Sequence, residues 1–80
     1  NNPFQLYVAI TACMSLAHKE IDTNTLKMTF TNMFAMALKG FVPDFRNNFV
    51  NNTVQSMNLP FGFVQITRQC LIDALVIANS

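Results

Sequence analysis

Leu26, Phe30, Met33, Phe34, Ala37 and Leu38 recur at intervals of three and four residues, and the series stops at Gly40. That rhythm follows the 3.6-residue turn of an α-helix, places all of these side chains on one stripe, and has no counterpart in the period-two alternation of a strand. Asp22 or Thr23 offers a side-chain oxygen to cap the start, and Gly40 can take the left-handed conformation that ends a helix. A stripe of this kind has to be buried against another element. The surrounding stretch, TNTLKMTFTNMFAMALKGFVPDF at 23–45, holds four of the chain's eight Phe and three of its five Met but only three charged residues. Its Met and Phe read as core, because flexible thioethers fill gaps between aromatic rings. Met28 and Met36 fall off the stripe and are candidates for an adaptable binding or dimer surface.

Three more stretches carry the same period. In NNPFQLYVAITACMSLAH, Asn2 can cap a helix with Pro3 at its first position, and Leu6, Ile10, Cys13 and Ala17 follow at helical spacing. The next helix is predicted from about Pro43 and Asp44, with Phe45, Phe49, Val50, Val54 and Met57 inward and Arg46, Asn47, Asn48, Asn51 and Asn52 mostly outward. SMNLPFG interrupts it. The last runs from Phe61 or Phe63 to Ala78 and has only a narrow polar strip through Gln65, Arg68, Gln69 and Asp73. FGFVQIT has some strand character, but it continues without a break into RQCLIDALVIA, whose length and period favour helix. The expected fold is all-α: one domain over 1–80, a compact bundle of four helices or at most five, joined by short connections.

At 80 residues such a bundle is marginal, so a cross-link or a partner chain is expected to help hold it. Charge makes up 11% of the residues, five Lys and Arg against four Asp and Glu, with no basic run, which argues against nucleic acid or an acidic membrane surface as partner. Little charge also means little repulsion between copies. The fourth helix, apolar on most of its circumference, must be central or must bury a second face against another chain. Ile66, Arg68, Ile72, Asp73 and Val76 are the candidate self-association residues, the apolar ones supplying area and the charged ones orientation.

No stretch is expected to span a membrane, since 1–18 has only about a dozen apolar positions against the roughly 20 needed. Nor does the start read as a signal peptide, lacking an initiator Met and basic residues, so the chain looks like a mature or excised domain. Cys13 and Cys70 permit one internal disulfide if the first and last helices are neighbours, closing a loop worth about 4 kcal/mol. The alternative is two reduced, buried thiols that act as small apolar residues. A bridge would point to secretion, and Asn51-Asn52-Thr53 is a glycosylation sequon compatible with it. Neither cysteine has a neighbour in sequence that would activate it, and without a CxxC or a second histidine no metal site is expected. His18, beside Lys19 and near Glu20 and Asp22, is a candidate pH sensor or simply a helix-end cation. Paired carboxylates, phosphate loops and nucleophile motifs are missing from the sequence, so neither enzymatic activity nor a cofactor is expected.

From residue 4 onward the chain resembles the N-terminal domain of spider silk proteins. DTNTLKMTFTNMFAMALKG is similar to that family's middle helix, where a Leu-initiated stretch runs into Met, Phe and small residues. FVNNTVQSMNLPFGFVQITRQCLIDALVIANS resembles its ending, a Phe-bearing helix, an Asn/Pro turn and a last helix opening on Phe-Val, with Phe63, Val64 and Arg68 in the matching places. The resemblance implies a secreted helical module that keeps a fibrous protein soluble and pairs with its own copies. The expected function is therefore a non-enzymatic, extracellular assembly domain forming a homodimer. A small carrier binding a lipid or other apolar ligand in a Met/Phe-lined cavity is the alternative.

Overall fold

The computed structural model describes residues 3–80 and builds four helices in the expected order: α1 (Pro3–Ala17), α2 (Thr23–Ala37), α3 (Arg46–Ser56) and α4 (Val64–Ala78). A single 3₁₀ turn, Phe61–Phe63, leads into α4, and there is no strand among the described residues. The cap expected at Asn2 lies outside them. The Cα radius of gyration is 11.5 Å, close to the ~12 Å of a well-folded chain of this length.

The local signals explain where each element begins and ends. Asp22 is the cap of α2: its Oδ2 accepts from the Thr25 backbone N–H at 3.1 Å and from the Thr25 hydroxyl at 3.4 Å. Gly40 has φ +78° just beyond the C-terminal end of α2, so the chain turns in the left-handed region without a Cβ penalty. Asn58, at φ 50°, makes the corresponding turn after α3, a conformation its short amide side chain tolerates better than most.

The helices are strung in the spatial order α1, α2, α4, α3. Packing is most extensive between α2 and α4, then between α1 and α2, and α3 rests on α4 together with the 3₁₀ turn. Two inner helices therefore share the core. From α2 come Leu26, Phe30, Phe34 and Ala37, all buried, with Leu38 just past the helix. Phe30 and Phe34 meet edge to face, centroids 6.4 Å apart and planes at 82°, the arrangement their ring quadrupoles favour. From α4 come Thr67, Cys70, Leu71, Ala74 and Leu75, and from α3 Val50, Thr53 and Val54 with Met57 at its end. The Thr67 hydroxyl is enclosed without a hydrogen-bond partner.

Three expectations change. On α1 the buried stripe is Ala9, Cys13 and Ala17, with Leu6 and Ile10 only partly covered: small side chains let α1 lie close against α2, and the larger ones sit to the sides. Phe45 is not inward. It precedes the first turn of α3 and is 72% exposed, while Phe49 packs on Phe41 at a centroid distance of 5.1 Å. Cys13 and Cys70 are not bridged; both are free thiols, buried on helices that each pack against α2, and the Cys70 Sγ is directed at the Lys27 carbonyl oxygen of α2, 3.6 Å away. The stabilising cross-link is thus replaced by two small core residues. Phe61–Ala78 meets the length and mean hydropathy, 1.4, of a membrane-crossing helix, a test that the core helix of a bundle also passes. The 3₁₀ turn extends α4 to that length, and the inner stripe of the segment packs in the bundle.

Candidate interaction surface

Besides Met28 on α2 and Val42, Phe45 and Phe61 outside the four α-helices, large apolar side chains point outward on two helical faces. The first is on α4, where the sequence placed the self-association residues. Ile66 and Ile72 are half-buried and pack against the core, so they extend the apolar arc of α4 toward its neighbours rather than into solvent. Arg68 is also half-buried, its Nη1 donating to the Gln65 Oε1 at 3.1 Å, and Asp73 accepts from the Gln69 amide at 2.9 Å. These hydrogen bonds stay within α4, while the Arg68 Nε is enclosed without a partner. What remains outward is Val76, 58% exposed, and Ile77, 53% exposed.

The second face belongs to α1 and the C-terminal half of α2. Phe4, Tyr7 and Val8 of α1 are more than half exposed, and Met36 of α2 is 76% exposed. Between the two helices runs an open groove of about 380 Å³, lined by Phe4, Val8 and Ala9 on one side and Met33, Met36 and Ala37 on the other, with Gln5 as its polar member. Met28, 66% exposed, lies on another side of α2, at a smaller cleft of about 250 Å³ between α2 and α4 that Lys27, Thr31, Gln69 and Asp73 help to line. Both methionines that fall off the inward stripe are thus at the surface. Sequence reading had no means of finding the α1 face, because Phe4, Tyr7 and Val8 look like core residues until the small stripe beside them is known to take that place.

Cys13 and Cys70 are unreactive by environment. Burial pushes the Cys13 thiol up to about 12, with the nearby Cys70 adding to the effect, and burial likewise raises Cys70. The neutral thiols are the form the fold accepts, so their contribution to stability is complete below about pH 9 and is lost as pH climbs through the raised folded values. Native protein should react with a thiol reagent at neutral pH only as fast as it opens, whereas both cysteines should react at once in denaturant. Prompt native labelling, or a non-reduced mass two hydrogens below the reduced one, would contradict this placement.

His18 is exposed in the turn after α1, its backbone N–H donating to the Ser15 carbonyl at 3.3 Å. Asn51 is exposed on α3 while Thr53 of the same sequon is buried. Among the described residues no three His, Cys, Asp or Glu side chains gather where they could hold a metal ion. The arrangement defines a small all-α domain whose most distinctive surface is apolar and almost uncharged. No family model, curated protein or solved structure matches the chain.

Proposed function

We propose that the protein is a non-enzymatic assembly module, a helical domain of a larger extracellular protein that stays soluble and pairs with copies of itself. One observation carries the reading: ten large apolar side chains, Phe4 to Ile77, are more than half exposed on a chain with only nine charged residues. So much outward apolar surface favours association, and sparse charge leaves little to oppose it. The extracellular placement draws on the resemblance to silk N-terminal domains and on the accessible Asn51, since two free thiols say nothing about compartment.

The groove between α1 and α2 supports a second reading. Its 380 Å³ and its Met and Phe lining suit a small apolar ligand, although it is open along its length rather than enclosed. Native mass spectrometry of protein purified without detergent separates the two. The assembly module is expected as a ligand-free dimer; a monomer carrying a stoichiometric apolar molecule establishes the carrier instead.

A further inference from the structure

We infer that the exposed face of α1, together with the α1/α2 groove, is the surface on which a second copy of this chain docks. The inference rests on the self-association reading above and locates its interface away from α4.

The first argument is that α1 is apolar on its outer side as well as its inner one. Ala9, Cys13 and Ala17 are buried with Leu6, Ile10, Met14 and Leu16 packed beside them, yet Phe4, Tyr7 and Val8, exposed by 69%, 65% and 51%, continue the apolar surface onto the outer side. A solvent-facing helix ordinarily carries charged residues there. Pro3–Ala17 contains no charged residue at all. Such a helix is built to be covered on both sides, and the fold covers one.

Area is the second argument. Taking about 150–200 Å² for each full side-chain surface, the exposed fractions of Phe4, Tyr7, Val8 and Met36 amount to roughly 400–500 Å² of largely apolar area. That is the size of the largest, often functional, patch on a typical monomer. A two-fold contact uses the same patch on both partners, so pairing removes about 800–1,000 Å² in total, the size of a weak, concentration-dependent contact. The outward pair on α4, Val76 and Ile77, offers much less.

Charge identifies the occupant. The charges nearest this face in sequence are Lys19 and Glu20 beyond the end of α1 and Lys39 beyond α2. A charged partner would find no counter-charge on it. A helix that lies on a membrane surface sets a basic polar face beside its apolar one, and α1 has no basic residue. The same face of a second copy meets the requirement: apolar, uncharged and free of like-charge contacts when brought up to itself. Met33 and Met36 along the groove wall can adjust to side chains entering from the partner.

The test is sedimentation velocity on the whole chain at high micromolar concentration, comparing wild type with Val8→Glu, Met36→Lys and Val76→Glu. Val8, Met36 and Val76 are all at the surface, so helical circular dichroism should be unchanged. The expected result is a dimeric wild type, a dimeric Val76→Glu, and monomers for Val8→Glu and Met36→Lys. If Val8→Glu disturbs the fold, Met36→Lys decides alone. A dimer that persists in Val8→Glu and Met36→Lys but dissociates in Val76→Glu overturns this face and leaves self-association standing on α4. A monomeric wild type overturns both, and a monomer that binds neutral phosphatidylcholine vesicles assigns the α1 face to lipid.

Discussion

Phe34→Ala is expected to destabilise the domain by roughly 3 to 5 kcal/mol, enough to remove most of the fold. Phe34 is completely buried, holds an edge-to-face contact with Phe30, and lies on α2, the helix that α1 and α4 share. Truncation loses the transfer free energy of the ring and leaves a void in the close-packed core that encloses it. Domains of this length have about 4 to 12 kcal/mol in total. A melt followed by helical circular dichroism should therefore fall by well over 10 °C or lose its folded baseline altogether. A shift of only about 2 °C would mean that the stripe does not form the core.

The second large effect is on α4 and turns on a contrast between neighbours in sequence. Leu71 is fully buried and Ile72 beside it only half so. Leu71→Ala should cost about 2 to 5 kcal/mol, and Ile72→Ala clearly less, read as urea midpoints at unchanged denaturant slope. Equal losses, or the reverse order, would rotate α4 by about 100° from the orientation described here. That rotation would bring Ile72 inward and undo the assignment of Val76 and Ile77 to the surface.

How much of this was legible in the sequence differs from helix to helix, for physical reasons. α2 could be read almost completely because its signals are local: a capping aspartate, a wide stripe of large side chains and a glycine at the turn all lie within nineteen residues, from Asp22 to Gly40. On α1 the inward series was right in direction, with Cys13 and Ala17 buried and Leu6 and Ile10 packed beside the core, but its centre lies toward Ala9. Nearly every side chain on the helix is apolar or small, so periodicity sets the phase only loosely, and it could not show that Phe4, Tyr7 and Val8 stay uncovered. Phe45 was misplaced because the phase of α3 is fixed by its true start at Arg46, and no side-chain cap marks that start. The proposed bridge failed on tertiary grounds. Cys13 and Cys70 are both in the core, as their apolar character suggests, but whether two helices are neighbours is decided by the packing order, which the sequence does not spell out.

The same limit applies to the surface. The excess apolar arc of α4 was visible in the sequence, yet half-buried Ile66 and Ile72 show that much of it is taken up within the bundle, where α4 packs against both α2 and α3. The uncovered excess is greater on α1, a terminal helix in the packing order with one neighbour instead of two. An outer helix with an inner helix's composition is the physical basis for expecting a second chain.

Sedimentation equilibrium of the wild-type protein across micromolar concentrations, at low and at high salt, tests that expectation most directly. Association through uncharged apolar surface should give a mass rising to twice the 9.0 kDa of the chain, and the transition should survive or sharpen as salt is raised, since screening has no attraction to weaken. A mass that stays at 9.0 kDa throughout, or a dimer that salt dissolves, would contradict it.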